Sequence, residues 1–461
     1  MVLLPSKNAL SLATGLKQRR AKLARLINYP VILWSGSPLG RNFSANKYPF
    51  RSSSHFLYFA GIPLPNAAIY LKEGRLELYL DNPPPSATLW HGETPDRAEI
   101  GEAIGADAVY PLNELSVKTP GAATIAVQDS VTYQQQCQLL NRFVPLSHET
   151  TGIDLELARA IVKLRSHHDD LALQELRQAS SVSVKAHQAG MAATSKAKSE
   201  AEIRSGMEGV IIASNMTCAY NSIVTVRGEV LHNETYQNPL QPGDLLLADV
   251  GAETPNGWAA DITRTWAVSG KFSSTQKDIY EVVLQAHDDC IAKIEPGVEY
   301  QDIHLLAAEI ITRGLVDLGI LKGNVEDLVA MDAHALFFPH GVGHLLGLDV
   351  HDMEDLGDEA GYETGRSRSD RFGLSYLRLN RPLQPGMLVT IEPGFYQVPA
   401  ILNHPDFRHK YRHLVNWERL AQFKDVKGIR IEDDVLVTDF GTEVLTADLP
   451  TKIEDMEKLV L

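Results

Sequence analysis

A chain of 461 residues is too long for one small core, so its length predicts two domains, or one large and one medium-sized domain. Its net charge of −15 argues against nucleic acid and anionic membranes as general partners, and its 44% apolar and 22% charged residues are ordinary for a globular protein. The three cysteines, Cys137, Cys218 and Cys290, are too few and too far apart for a disulfide framework or a CxxC metal site.

The sequence contains no apolar stretch of about 18 residues, the length that a membrane-spanning helix needs. Its amino-terminal segment does not have the charged head and long apolar run of a signal peptide. Together with the sparse cysteines, these features predict a cytoplasmic protein without a membrane partner.

The first part of the chain has the pattern of an α/β domain. Residues 1–28 form a basic helical segment, and the apolar run 29–34 predicts a buried strand. Aromatic alternation and turn residues in 48–71 predict a strand, a turn and a second strand. A further strand is predicted at 75–85, where three prolines end it, and a capped helix at 92–106.

Helical periodicity begins again at 153–190, where charges occupy the outer face. This segment predicts a long helix or a helix pair that leads into a second domain. Another helix is predicted at 198–218, and strands then alternate with helices to the end of the chain. We therefore predict an amino-terminal α/β domain at 1–165 and a carboxy-terminal domain at 166–461.

The carboxy-terminal domain contains two similar segments, LQPGDLLLADVG at 240–251 and LQPGMLVTIEPG at 383–394. In each, a Pro-Gly turn leads into an apolar strand, and an acidic residue, Asp249 or Glu392, stands six positions after the first glycine. A Pro-Gly turn before a strand is common, but the matched acid and glycine make coincidence a poor explanation. The pattern predicts two related halves, each with a carboxylate at the end of a strand.

Residues 340–352, HGVGHLLGLDVHD, carry three histidines, His340, His344 and His351. Each of the three intervening glycines would cost about 1 kcal/mol inside a helix, so a strand or loop is expected. Imidazole is the commonest metal ligand and the commonest proton shuttle near neutral pH. Three imidazoles in a glycine-rich frame therefore predict a functional site.

Four carboxylates lie in or beside apolar strands: Asp249, Asp261, Glu392 and Glu432. A buried carboxylate is costly unless it is paired or binds a metal, and several carboxylates beside His344 cannot all ionise without a shared cation. Four oxygen donors and one imidazole suit Mn²⁺ or Co²⁺, with Zn²⁺ as a further candidate. Two such ions about 3.5 Å apart would polarise a carbonyl and supply a nucleophile, which predicts hydrolysis.

The order of these five ligands resembles that of the dinuclear metallopeptidases with the pita-bread fold, and in particular the Xaa-Pro peptidases, aminopeptidase P and prolidase. The strings at 219–234, 338–352, 383–396 and 428–438 resemble family motifs, and 48–61 resembles the amino-terminal domain of aminopeptidase P. The resemblance implies an α/β (α+β) protein. A smaller amino-terminal α/β domain would precede a pita-bread catalytic domain of two pseudo-symmetric halves.

The resemblance also implies a role for each ligand. Asp249 would chelate one ion, and Asp261 and Glu432 would bridge both. His344 and Glu392 would complete the coordination of the other ion. Glu392 would also handle the proton of the bridging water. The two ions are expected to be Mn²⁺, with Co²⁺ or Zn²⁺ as alternatives.

Further residues would act around the ions. His232 would bind substrate, His340 would line the proline pocket, and His351 would donate to the carbonyl of the scissile bond as charge develops. Arg430 and Tyr396 would orient a bridging carboxylate. The structural alternatives are an ordinary cross-strand ion pair for the arginine and simple packing for the tyrosine.

The implied activity is hydrolysis of the Xaa-Pro bond at peptide amino termini, with peptides that carry proline in the second position as substrates. Substrate length is open, because a dipeptidase needs an arginine for the free carboxylate, and Arg378 stands where prolidase carries one, with Arg381 as a second candidate. Because 48–61 resembles aminopeptidase P, we favour an Xaa-Pro aminopeptidase that also accepts dipeptides over an Xaa-Pro dipeptidase. A homo-oligomer, dimer or tetramer, is expected, and residues 397–427 either cap the site or contact a neighbouring subunit.

Three other functions agree less well with the sequence. A non-catalytic binding protein of this fold and a metal-free hydrolase such as creatinase both conflict with the intact set of five ligands. A methionine aminopeptidase is disfavoured by the additional amino-terminal domain and by the string at 338–352.

Overall fold

The computed structural model describes residues 9–146 and 149–460, and the chain divides into two compact units. The first unit comprises the described residues of Met1–Leu173 together with Pro255–Trp258 and Met353–Ala360, and the second comprises Gln174–Thr254, Ala259–Asp352 and Gly361–Leu461. The domain boundary at residue 165 stays a prediction. Among the described helices, none combines the length and the apolarity that crossing a membrane requires.

The first unit contains a four-stranded sheet formed by β1 (Val31–Trp34), β2 (Ala68–Lys72), β3 (Arg75–Tyr79) and β4 (Ala108–Tyr110). The strand order is β1-β2-β3-β4, antiparallel except for the parallel β3–β4 pair. Side chains of Ile32, Trp34 and Tyr79 form part of its core. The α-helices that lie wholly within its amino-terminal segment are α1 (Ala9–Leu23), α2 (Ser54–Ala60), α3 (Ala87–His91), α4 (Arg97–Ile104), α5 (Ser130–Leu140) and α6 (Gly152–Arg165).

The prediction of two strands within 48–71 is wrong for the first of them. Residues 54–60 form α2, and only the second strand is present, as β2. Every residue of α2 is buried, so its sequence shows no polar face, and a short apolar run of this kind has no periodicity that distinguishes helix from strand. Gly61 ends the helix with a φ of +74°, where its N–H donates to the Leu57 carbonyl at 2.7 Å.

The other predicted elements of this region are confirmed. The helix expected within 92–106 is α4, and its first turn is closed by a capping box in which Asp96 and Glu99 exchange hydrogen bonds with backbone N–H groups. The strand predicted at 75–85 is β3, and α1 confirms the described part of the helix predicted at 1–28. Residues 1–8 of that prediction lie outside the described residues.

The predicted helices of 153–190 and 198–218 are also confirmed, the first as the pair α6 and α7. The next helices in chain order are α7 (Asp170–Thr194), α8 (Glu200–Ala213), α9 (Ser274–Lys293), α10 (Tyr300–Asp317), α11 (Val325–Ala330), α12 (Asp358–Gly361), α13 (Pro399–Leu402), α14 (Pro405–Lys410), α15 (Trp417–Leu420) and α16 (Ile453–Val460). The strands of the second unit are β5 (Thr217–Cys218), β6 (Ile223–Thr225), β7 (Leu245–Asp249), β8 (Ala252–Glu253), β9 (Thr263–Ala267), β10 (Leu388–Ile391), β11 (Gly394–Tyr396), β12 (Gly428–Arg430), β13 (Asp433–Thr438) and β14 (Gly441–Val444).

The two similar sequence segments supply one strand to each of two antiparallel three-stranded sheets. Strand β7 lies between β6 and β9, and β10 pairs with β13, which pairs in turn with β14. Bridges between Thr263 and Glu432 and between Leu345 and Val389 tie further segments to these sheets. The acidic strand ends and the histidine segment are thereby brought into one region of the second unit.

Candidate metal centre

The predicted site residues meet around one cavity of about 450 Å³ in the second unit. Its walls include all five predicted ligands and five of the seven other predicted site residues. Of the remaining two, Tyr396 lies behind the wall, where its hydroxyl contacts His340, and Arg381 is not among the lining residues and donates to the Tyr362 carbonyl at 2.9 Å. The lining residues are Leu231, His232, Asp249, Asp261, Pro339, His340, Gly341, His344, His351, Arg368, Tyr376, Arg378, Glu392, Val398, Ile401, Arg430 and Glu432.

Backbone pairing fixes the histidine segment along β10. The Thr390 N–H donates to the His344 carbonyl at 3.0 Å, and the Glu392 N–H donates to the Val342 carbonyl at 2.8 Å. Gly343 has a φ of +157°, and a Cβ there would collide with the Thr390 carbonyl. This close approach explains one glycine of the motif, because any side chain would push His344 away from the acids.

Three residues have donor atoms that lie within 4.8 Å of one another, Asp261, His344 and Glu432. His344 Nε2 lies 3.5 Å from Asp261 Oδ2 and 3.7 Å from Glu392 Oε1. This combination of one imidazole and several carboxylate oxygens within a few ångströms matches the donor set of a divalent metal site.

The protonation of the acids gives a second test of that fit. Burial, and then the charge of Asp249, raises the pKa of Asp261 well above its ordinary value. Burial likewise raises the pKa of Glu392 and of Glu432, each helped by a neighbouring carboxylate. Burial without a cation therefore favours the protonated forms of these acids, whereas a divalent ion would stabilise their charged forms. The residues therefore fit a metal centre.

Tyr220 is a member of this cluster that sequence reasoning missed. Its hydroxyl lies 2.6 Å from Asp249 Oδ1 and 2.5 Å from Asp261 Oδ1. One hydroxyl proton serves one carboxylate at a time, so the other contact needs a proton on the acid or a cation beside it. The tyrosine lies within the string 219–234, but a tyrosine in a mixed polar segment carries no signal of a buried acidic partner.

Arg430 connects the acids to Tyr396, which lies behind the cavity wall. Its guanidinium pairs with Asp249 and donates to Thr263 Oγ1 at 2.9 Å and to the Tyr396 hydroxyl at 3.1 Å. The guanidinium lies 3.8 Å from Glu432 Oε2. The ion pair with Glu432 that the sequence suggested is therefore looser than the ion pair with Asp249. The hydroxyl of Thr263 donates to Glu432 Oε2 at 2.6 Å and fixes that carboxylate.

His340 continues the same chain of hydrogen bonds. Its Nδ1 lies 2.8 Å from the Gly341 carbonyl, and its Nε2 lies 2.9 Å from the Tyr396 hydroxyl. Because a carbonyl can only accept, Nδ1 carries the proton and Nε2 accepts from the tyrosine. Burial, and then the charge of Arg430, lowers the pKa of His340 to about 3, so the ring is neutral near pH 7.

The remaining predicted residues lie nearer solvent. The His351 ring centroid is 4.4 Å from that of His344. His232 is exposed and Arg378 is half-buried in the cavity wall. Val398 and Ile401 come from the segment 397–427 and add an apolar wall, which supports a capping role for that segment.

The chain is similar to Xaa-Pro peptidases over most of its length. Residues 174–439 match the model of metallopeptidase family M24, and residues 16–129 match that of the aminopeptidase P N-terminal domain. A probable Xaa-Pro aminopeptidase of Fusarium vanettenii is 34% identical over 417 residues, which cover 89% of this chain and 88% of that protein. A human Xaa-Pro dipeptidase is 32% identical over 448 residues, 93% of this chain and 87% of that protein. The structure of aminopeptidase PepP from Pseudomonas aeruginosa aligns with a TM-score of 0.79 and 28% identity, over 97% of this chain and 98% of that chain.

Proposed function

Because the chain belongs to metallopeptidase family M24, we propose that it is a metal-dependent Xaa-Pro aminopeptidase, which hydrolyses the bond before proline at the amino terminus of peptides. The observation that carries this proposal is the group of four carboxylates and one histidine around a single cavity. The similarity to a probable Xaa-Pro aminopeptidase supports the substrate class.

We assign the metal to five side chains, Asp249, Asp261, His344, Glu392 and Glu432. Their four carboxylates favour Mn²⁺, with Co²⁺ or Zn²⁺ as alternatives. When bound, two such ions would polarise the scissile carbonyl and lower the pKa of water.

The protein's own residues bind the substrate and move the proton. Glu392 handles the proton of the attacking water, and His351 donates to the carbonyl oxygen as negative charge develops. His232 binds the substrate beside the metals, and His340 lines the proline pocket. Neither Arg430 nor Tyr396 needs to touch substrate, since both position other groups through the hydrogen bonds described above.

An Xaa-Pro dipeptidase is the second candidate. Arg378 in the cavity wall and the similarity to a human Xaa-Pro dipeptidase favour it. Turnover of Xaa-Pro and of Xaa-Pro-Yaa-Zaa at equal concentration separates the two activities. Cleavage of the tetrapeptide, with little effect of Arg378→Ala, supports the aminopeptidase. Cleavage of the dipeptide alone, with a sharply raised KM in the variant, supports the dipeptidase.

Chelation of the purified protein tests the hydrolase itself. Activity should disappear on chelation and return with Mn²⁺. Activity that survives complete removal of metal would instead support a metal-free hydrolase of the same fold.

The cellular setting is part of the proposal. The sparse cysteines favour the cytoplasm. The negative net charge disfavours nucleic acid and anionic membranes as partners. We also propose a homo-oligomer, a dimer or a tetramer, in which the first unit makes contacts. Leu89 and Trp90 of that unit are 79% and 78% exposed and supply apolar surface. Light scattering that shows only monomer at micromolar concentration would contradict the oligomer.

A further inference from the structure

Besides Arg430, two arginines that differ in exposure line the cavity of the proposed active site, Arg378 and Arg368. The first is half-buried, and a Cβ added to Gly341 would lie 3.4 Å from its backbone nitrogen, so Arg378 begins close to the histidine segment. The second is exposed, as is Tyr376, which is 65% exposed. Arg368 and Tyr376 therefore mark the mouth of the cavity, and Arg378 lies deeper.

The exposed guanidinium is nevertheless held in place. Arg368 Nη1 donates to the Leu377 carbonyl at 3.1 Å, and its guanidinium carbon lies 5.3 Å from the ring centroid of Tyr362. Tyr362 is 4% exposed, and its hydroxyl donates to the same carbonyl at 2.7 Å. The buried Tyr362 ring and the Leu377 carbonyl thus orient the exposed Arg368 guanidinium. Less side-chain conformational entropy is then lost when a ligand binds to it.

The cavity wall carries both negative and positive side chains. The acids and His344 lie together at the metal centre, and the segment 368–378 adds two cations to the wall. An Xaa-Pro peptide carries its positive end before the scissile bond and its carboxylate after it. A carboxylate moves outward by about 3.3–3.6 Å for each residue added to an extended chain. A tripeptide would therefore present its carboxylate nearer the mouth than a dipeptide does.

We propose that Arg368 determines specificity for substrates with one residue after proline, and that it binds the terminal carboxylate of Xaa-Pro-Yaa. Arg378 binds the carboxylate of Xaa-Pro, so the two cations distinguish peptides by length. Arginine suits this task because its planar fork matches a carboxylate in two hydrogen bonds. The inference rests on the proposed Xaa-Pro peptidase function.

Steady-state kinetics of Arg368→Gln on three peptides tests the proposal: Xaa-Pro, Xaa-Pro-Yaa and amidated Xaa-Pro-Yaa. We expect the KM of the free tripeptide acid to rise about tenfold, the size expected for a lost hydrogen bond to a charged group. The kcat for that peptide should stay within about twofold, and both constants for the other two peptides should not change. Arg368→Lys should restore part of the lost affinity, and Arg378→Gln should raise the KM of the dipeptide instead.

Arg366→Gln is the matched control, because Arg366 belongs to the same segment but pairs with Glu299 at 2.6 Å and does not line the cavity. It should leave all three KM values unchanged. An equal rise in KM for all three peptides in Arg368→Gln would show a structural role and overturn the inference.

The wild-type enzyme separates failure of the inference from failure of the function. If it cleaves the tripeptide acid and amide with equal KM, or cleaves the dipeptide alone, the role of Arg368 is overturned and the peptidase function stands. If the metal-loaded enzyme cleaves none of the three peptides, the proposed function fails and this inference fails with it.

Discussion

The hydroxyl of Tyr220 lies 2.5 Å from Asp261 Oδ1, so a tyrosine holds one of the proposed bridging carboxylates. Strand pairing creates this contact. Tyr220 stands just before β6, and Ile223 of that strand pairs with Asp249 at the end of β7. The same hydroxyl contacts Asp249 at 2.6 Å, and one side chain therefore sets the spacing of two acids.

Removing that hydroxyl should weaken the metal centre. We expect Tyr220→Phe to lower metal affinity or turnover by about 10- to 100-fold, the usual cost of losing a hydrogen bond to a metal ligand. Metal titration followed by calorimetry, together with kcat at saturating metal, measures both effects. Wild-type affinity and turnover in the variant would show that the tyrosine only packs beside the acids.

Loss of a proposed ligand should be more severe. Asp261→Asn and His344→Ala should each fold but lose metal and hydrolysis, because the acidic cluster needs a cation to be tolerated. Circular dichroism, metal analysis and activity assays report the three properties separately. The exposed His413 supplies a control, since His413→Ala should keep all three. A ligand variant that kept wild-type turnover would disprove the ligand assignment.

His351 should matter for the chemical step and not for metal binding. We expect His351→Ala to lower kcat by about 10² or more while metal content is kept, as when one hydrogen-bond donor to a developing oxyanion is removed. Metal analysis and kcat on the same preparation test this expectation. An unchanged kcat would mean that His351 is structural.

Metal-free protein should become less stable as pH rises. Burial raises the folded-state pKa values of Asp261, Glu392 and Glu432 above those of the unfolded chain, which lie near 4. Above about pH 4 the folded protein then binds more protons than the unfolded chain, so the free energy of unfolding falls with pH until these acids ionise. Added Mn²⁺ replaces the protons and should remove this loss.

The measurement for this prediction is the difference in Tm between metal-loaded and chelated protein from pH 5 to pH 8. The difference should grow with pH. Titrating groups away from the metal centre contribute equally to both samples and cancel. A difference that shrinks with pH would contradict the raised pKa values.

The candidate ligands could be predicted from the sequence because each breaks a local rule. Asp249 ends a strand whose residues are all buried, and an acid in such a place requires compensation. The glycines around His344 exclude a helix, and the backbone contact at Gly343 supplies the physical reason for one of them. A residue that costs folding free energy at its position in a strand or helix pattern can thus be recognised from the sequence alone.

One helix of the first unit and two residues of the second were visible only in the tertiary structure. Helix α2 was missed because its burial on every side removes the periodicity that identifies a helix. Tyr220 and Arg368 were missed because an ordinary tyrosine and an ordinary surface arginine break no local rule. The sequence by itself determined the proposed donor set and the strands that carry it, since buried charge is expensive wherever it occurs. Only the tertiary structure decided which uncharged or solvent-exposed side chains, such as Tyr220 and Arg368, lie near those donors. Strand register and the folding of the chain create such contacts between residues that are distant in sequence, and the sequence around each residue carries no signal of them.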